Sequence, residues 1–236
     1  IFTAMAGLSV CVRLLDPPMH EFLPPRKSQE LDRVARDVAS DAGEKDVGKI
    51  LARAERMREA NPILGMRGCR LGIQHPSVTA MQSRAIFEAA KACADKGIRV
   101  KPQIMVPLVA TAAEFSHQAN VIRDVYAEIF AGAEAVPFEI GGMVETPRAA
   151  LVSDTLVRAG AQFLSLGTND LTQMTFGFSR DDVGPILKTY RENGILTDDP
   201  FERIDELGVG LLIENCAMMA RAAVRELNEQ WQEDQS

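Results

Sequence analysis

The sequence predicts an α/β fold with parallel strands, of the (β/α)8 barrel type but with too few strands to close it. Three observations carry this expectation. Short apolar runs alternate with long helical runs along most of the chain, the pattern of strand–helix–strand units whose sheet is covered on both faces. No glycine fingerprint of the dinucleotide-binding kind follows any of these strands, which favours a barrel over a doubly wound sheet. The 236 residues suffice for one large α/β domain, and 46% apolar content allows a sizeable core.

The composition also excludes several function classes. A net charge of −7 argues against a general nucleic-acid surface. No apolar run is expected to reach membrane-spanning length, and no signal-peptide pattern is visible, so neither nucleic acid nor membrane is an expected partner. Cys11, Cys69, Cys93 and Cys216 lie far apart without a CxxC pair, which disfavours zinc or a disulfide framework and fits a reducing, cytoplasmic compartment. The chain begins at Ile1 rather than Met and is expected to be a piece of a longer protein.

Residues 8–15, LSVCVRLL, read as a buried parallel strand stopped by Asp16-Pro17-Pro18. Arg13 near its end needs a partner: either a structural carboxylate such as Asp16, or an anionic ligand. Residues 19–27 form a Pro-rich loop in which His20 reads as a loop or packing residue. The charged residues 28–60 read as two solvated helices broken near Gly43, an excursion over the barrel mouth. A turn follows at Asn61-Pro62 and Gly65, and then Arg67 and Arg70 bracket Gly68-Cys69. Glycine beside arginine lets backbone and guanidinium approach an anion together, although many ordinary turns share the pattern.

Residues 69–74 read as a short strand, and 77–96 as an amphipathic helix capped by Ser77 and ended by Gly97, with Met81 and Cys93 in its packing. A strand at 98–107 leads to a helix at 111–131 that opens with the capping-box pattern TAAE; His117 within it reads as a surface or packing residue. A strand at 136–144, a helix at 147–159 opened by Pro147 and a strand at 162–167 complete the alternation. Residues 171–180 read as a loop, 181–192 and 200–228 as helices, and NEQWQEDQS as a fraying tail. About five strands result, where a closed barrel needs eight.

The strands before Glu145 and before Asn169-Asp170 put acidic groups at strand C-termini, the edge where α/β folds seat ligands. Two hard oxygen donors with waters and a substrate suit Mg²⁺. The plainer alternative is that Glu145 caps the next helix and Asn169-Asp170 form a turn. The stretch alone leaves both open.

The runs VRLLDPPMHEFLP, NPILGMRGCRLGIQHPSVTAMQSRAIFEAA, VPFEIGGMVETPRAAL, FLSLGTNDLTQMTFGFSRDDVG and GILTDDPFERIDELGVG cover most of residues 8–210. In them the chain resembles the phosphoenolpyruvate/pyruvate-binding C-terminal domain of the pyruvate phosphate dikinases. Phosphoenolpyruvate synthases and enzyme I of the sugar phosphotransferase system share a looser version. The resemblance implies one phosphoenolpyruvate/pyruvate domain over residues 1–236, of the (β/α)8 TIM-barrel type and incomplete at both ends, with the helical excursion at 28–60 and a helical tail at 200–236. It implies Mg²⁺ on Glu145 and Asp170. It further implies a substrate site of Arg13, Arg67, Glu145, Thr168, Asn169 and Asp170, in which the arginines hold the phosphoryl group and Asn169 hydrogen-bonds the substrate. The implied reaction is Mg²⁺-dependent phosphoryl transfer between a phosphohistidine domain and pyruvate. The whole enzyme converts ATP, pyruvate and phosphate to AMP, phosphoenolpyruvate and diphosphate. Its implied partners are the phosphohistidine and nucleotide-binding domains of the whole enzyme, a homodimer.

The family's glycine-rich GICGEHGG-like segment, with its proton-donor cysteine, is not found beyond Gly210, so no catalytic residue is assigned and this chain alone is expected to be inactive. Cys216 is nearest in chain order to that donor, but LLIENCAMMARAA reads as a helix with a buried structural thiol. Two other readings share the same residues: a Mg²⁺-dependent lyase or aldolase on a related barrel, and a remnant that binds ligand without turnover.

Overall fold

The computed structural model describes residues 1–58 and 64–234. The expected turn at Asn61-Pro62 and the expected role of the His20 side chain lie outside the described part. In chain order the elements are β1 (Ser9–Arg13), α1 (Gln29–Asp41), α2 (Val47–Arg56), α3 (Gly68–Gln74), α4 (Pro76–Ala94), β2 (Lys101–Val106), α5 (Ala112–Ile129) and β3 (Glu139–Val144). Then follow α6 (Pro147–Leu151), α7 (Ser153–Arg158), β4 (Phe163–Leu166), α8 (Thr168–Phe176), α9 (Gly184–Glu192) and α10 (Leu211–Asp234).

The four strands form one parallel sheet in the order β1-β2-β3-β4. Its register aligns the strand ends: Arg13 faces Met105, Val106 faces Gly142 and Val144 faces Leu166. Residues that follow these ends therefore emerge along one edge. Ile104, Val106, Ile140 and Val144 are fully or almost fully buried, as expected of parallel strands covered by their crossover helices, whereas β1, expected to be buried, lies at the sheet edge with Ser9, Cys11 and Arg13 exposed. Beneath the sheet, the Phe87 ring meets Tyr126, Phe130 and Phe138 edge-on, at centroid distances of 5.2, 6.4 and 4.9 Å. Such edge-to-face contacts hold α4 and α5 against the start of β3.

The helix starts follow local chemistry. Ser28 and Asp46 cap α1 and α2 through their side chains, and Gly43 lies between the two helices where the charged run was expected to break. Thr111 and Glu114 form the expected capping box on α5, with Glu114 Oε2 accepting from Thr111 N–H at 2.8 Å. His117 is exposed on the same helix, and Cys93 is half-buried on α4.

Several expectations are corrected. Residues 69–74 form helix α3, not a strand, so four strands stand among the described residues rather than five. Gly68 takes φ +54°, and a Cβ there would lie 2.8 Å from the Leu108 Cβ and 2.9 Å from Asp16 Oδ1. That turn sends the chain beneath the sheet edge as a helix, with Cys69, Leu71 and Gly72 buried. Residues 168–176 form helix α8 where a loop was expected over most of that length; Leu171 and Thr172 are buried and Gly177 ends it in the left-handed conformation. Ser77 is not the cap of α4, because His75 occupies the cap position and Pro76 opens the helix. Met81 is 56% exposed and faces away from the packing. The helix expected over 147–159 breaks at Val152 into α6 and α7.

The helix expected over 200–228 starts later, with a π-helical turn at Glu206–Gly210 leading into α10 at Leu211, and it runs on to Asp234 through most of the tail expected to fray. By length and composition alone, Glu206–Glu233 is apolar enough to cross a membrane, contrary to expectation. Between Leu207 and Val224 its apolar string is interrupted by Glu214, Asn215 and Arg221. One side of α10 has protein partners: Asn215 Nδ2 donates to the Ala150 carbonyl at 3.0 Å, Ser153 Oγ donates to the Cys216 carbonyl at 2.9 Å, and Ala223 is buried.

Candidate functional site

The aligned strand ends bring together residues that are far apart in sequence. Arg13 ends β1 and Asp16 lies just beyond it. Leu108 follows β2, Glu145 follows β3, and Asp170 lies in the first turn of α8 directly after β4. Arg67 enters the same space from the turn before α3. Facing oxygens of Asp16, Glu145 and Asp170 all lie within 4.8 Å of one another. Arg67 Nε and Nη2 contact Asp16 Oδ1 and Oδ2 at 3.2 and 2.5 Å, and its Nη2 lies 3.1 Å from Asp170 Oδ2. Arg13 Nη1 lies 3.6 Å from Asp16 Oδ2 and 3.8 Å from the Met143 sulfur.

Of the residues singled out from the sequence, Arg13, Arg67, Glu145 and Asp170 thus share one space. Thr168 and Asn169 open α8 beside them and are exposed. Arg70 does not join: its Nη1 donates to the Gly65 carbonyl at 2.9 Å. Glu145 is not the cap of the next helix. Thr146 caps α6 by accepting from the Ala149 N–H and donates to the Val109 carbonyl, which leaves the neighbouring carboxylate to the site. Cys216 is 2% exposed on α10, and burial pushes its thiol pKa up against the opposing hydrogen bond from Ser153.

Glu145 is held unusually. Its Oε1 accepts the backbone N–H of Leu108 at 2.6 Å. Leu108 has φ +57°, a conformation that costs a non-glycine residue roughly 1–2 kcal/mol, and its side chain is fully buried. On the other side Gly167 passes so close that a Cβ would lie 2.6 Å from the Glu145 Cβ and 2.7 Å from Oε2. Gly167→Ala is therefore expected to displace Glu145 and cost about 1–3 kcal/mol. Urea unfolding of the variant checks this; a midpoint within error of the parent contradicts the clamp.

The carboxyl group of Glu145 has its pKa raised to about 7, chiefly by burial and further by the charges of Asp16 and Asp170, against the Leu108 N–H. Because the folded state binds this proton more tightly than the unfolded chain, the stability of the metal-free protein falls as pH rises from the ordinary carboxylate range to about 7. Glu145→Gln, which keeps the acceptor for Leu108, is expected to raise the thermal midpoint at pH 8 by several degrees, equivalent to about 1–3 kcal/mol, and to have little effect near pH 4. Scanning calorimetry at the two pH values measures it. A lower midpoint at pH 8 contradicts the reading.

Burial pulls the Arg67 pKa down, but the Asp16 hydrogen bond and the charges of Asp16, Asp170 and Glu145 hold it above its ordinary value. The guanidinium therefore stays charged where an anion would need it. A cavity of about 900 Å³ opens beside the cluster, lined by Arg13, Asp16, Arg67, Gln173 and Arg180 among others. Gln173 ties its wall together, donating to Asp170 Oδ1 at 3.0 Å and accepting the Arg180 N–H at 2.8 Å.

The donor set fits a hard divalent cation. Three carboxylates offer oxygens at mutual distances that an octahedral ion with metal–oxygen bonds of about 2.1 Å can span after small side-chain movements. The raised proton affinity of Glu145 marks buried negative charge that a cation would offset. Sequence reasoning passed over Asp16 as a site residue because Asp-Pro-Pro reads as a strand stop, and Leu108 because nothing local signals its positive φ. The glycine directly after β4 was a readable sign of close approach at Gly167.

Carboxylates and arginines converge at the C-terminal edge of a parallel α/β sheet, beside an open cavity, and this is the edge at which α/β folds seat their ligands. The family described as "PEP-utilising enzyme, PEP-binding domain" matches residues 1–223, and the chain belongs to that family. Over 224 residues, 94% of its length, it is 52% identical to pyruvate, phosphate dikinase 1, chloroplastic, of Arabidopsis thaliana. It is 51% identical to pyruvate, phosphate dikinase 2 of Oryza sativa subsp. japonica and to pyruvate, phosphate dikinase 2 of Zea mays over the same length. The chain spans about a quarter of the length of these curated relatives: 23%, 25% and 25%.

Proposed function

We propose that this chain is the phosphoenolpyruvate/pyruvate-binding part of a pyruvate phosphate dikinase. The observation that carries the reading is the convergence of Arg13, Arg67, Glu145 and Asp170 on one strand-end cluster joined through Asp16, with Arg13, Asp16 and Arg67 also lining the adjoining cavity. In this reading Arg67 and Arg13 hold the phosphoryl group, and Glu145 and Asp170 hold Mg²⁺. Thr168 and Asn169, at the start of α8, meet the pyruvate part. Transfer of a phosphoryl group calls for alignment and charge neutralisation more than for covalent work by the protein. Bound Mg²⁺ would supply neutralisation of the negative charge that develops on the pyruvate side. The arginines carry the phosphoryl side, because a planar fork matches its oxygens. Leu108 and Gly167 keep Glu145 oriented while this happens.

The sequential strand order supports a segment of a (β/α)8 barrel, since a doubly wound sheet reverses its order at the switch point. As one domain of a dikinase, the chain would receive a phosphohistidine domain at its open cavity, alongside a nucleotide-binding domain and a second copy in a homodimer. Four free cysteines fit a reducing compartment such as the cytoplasm. Similarity to dikinases at about half identity supports this reading over a lyase or aldolase. Isothermal calorimetry of phosphoenolpyruvate with the chain, in Mg²⁺ and in chelator, tests it. Binding that needs Mg²⁺ is expected, and absence of binding in both media overturns the reading.

A further inference from the structure

The role of Asp16 goes beyond the site just proposed, although it rests on that reading. Asp16 is 3% exposed, more buried than either arginine it contacts. It engages the Nε/Nη2 edge of Arg67 with both carboxylate oxygens, and its own backbone carbonyl also accepts from Arg67 Nε at 3.2 Å. The same Oδ2 that receives Arg67 faces Arg13 at 3.6 Å. A single carboxylate thus ties the two cations to one another and fixes the plane of one of them. The Nη1 edge of Arg67 is the edge Asp16 does not take.

The alternative partner of Arg67 is close. Its Nη2 is already 3.1 Å from Asp170, which the proposed function assigns to the metal. Without Asp16, Arg67 has every electrostatic reason to close on Asp170 and Glu145, where it would quench the metal ligands and leave the phosphoryl position. Gly68 shows how tightly the carboxylate is seated, since a Cβ there would lie 2.9 Å from Asp16 Oδ1. We infer that Asp16 is a positioning residue that anchors the Arg67 guanidinium by its Nε/Nη2 edge, limits its approach to Asp170 to the one Nη2 contact, and aims it, together with Arg13, at the phosphoryl group of the substrate.

The test compares two ligands on the full chain by calorimetry in Mg²⁺: phosphoenolpyruvate, and oxalate, which has no phosphoryl group. Asp16→Asn keeps the shape and one acceptor but removes the charge. It is expected to weaken phosphoenolpyruvate by at least roughly tenfold and oxalate by less than about threefold. In an Arg67→Gln background, adding Asp16→Asn is expected to change phosphoenolpyruvate affinity by less than about threefold, because the residue acts through Arg67. Should Asp16→Asn not fold, Asp16→Glu replaces it: the charge stays, the extra methylene moves the fork, and the same split between ligands is expected. Equal losses for both ligands assign Asp16 to the metal or to the scaffold and overturn the inference. Unchanged or tighter phosphoenolpyruvate binding overturns it as well. A parent chain that binds neither ligand overturns the proposed function, and this inference with it.

Discussion

Asp170→Ala is expected to abolish phosphoenolpyruvate turnover in a complete dikinase carrying this chain, by a factor of about 10³ or more, while leaving the fold nearly intact. Removal of one preorganised electrostatic group commonly costs about 10²–10³ in rate, and here the group also carries the cation. The fold survives for reasons visible in the site. Arg67 loses its 3.1 Å contact but keeps Asp16 on its Nε/Nη2 edge. Glu145 loses a neighbouring negative charge that raises its proton affinity, which offsets part of the loss. Gln173 loses its acceptor on Asp170 but keeps the Arg180 N–H. The net stability change is expected to be about 1 kcal/mol or less. Steady-state kinetics and thermal unfolding measure the two quantities; a variant with a tenth of parental turnover, or one that is unfolded, contradicts this assignment.

Arg67→Lys is expected to fall nearly as far, about 10²-fold or more in turnover, and to cost stability as well. An ammonium keeps the charge but cannot present two parallel N–H groups to Asp16, so the buried carboxylate is left partly unsatisfied, at a cost of about 1–3 kcal/mol. Arg67 is 13% exposed and Arg13 is 47% exposed, so Arg13→Lys, in a wetter environment, should cost less stability. Stopped-flow phosphoryl transfer and urea unfolding on both variants give the comparison. Equal stability losses at the two positions contradict the view that Asp16 is built around Arg67.

Much of the scaffold was legible in the sequence because parallel strands write themselves as continuous apolar runs. Val10, Ile104, Ile140 and Leu164 sit in such runs, and each lies in the observed sheet. The run CRLGIQ was misread because a short apolar segment looks the same as a buried strand or one face of a helix. Gly68, the residue that decides, acts through a positive φ that no pattern displays. Residues 171–176 were misread for the opposite reason. Their polar character suggested a loop, yet Leu171, Thr172 and Gln173 are buried by packing that belongs to the tertiary structure. At the site, Arg13, Arg67, Glu145 and Asp170 were chosen by their place at strand ends and by family resemblance. Asp16 was legible only as a partner for nearby Arg13, and Leu108 not at all, because their other roles arise from distant partners: Arg67 lies 51 positions from Asp16, and Glu145 lies 37 from Leu108.

The most direct measurement is a crystal structure of the chain with oxalate and Mn²⁺, which replaces Mg²⁺ and reveals itself by anomalous scattering. The metal is expected between Glu145 and Asp170, with one oxygen of each at about 2.0–2.2 Å and Arg67 still on Asp16. A metal bound elsewhere, or an oxalate that lies away from both carboxylates, contradicts the account.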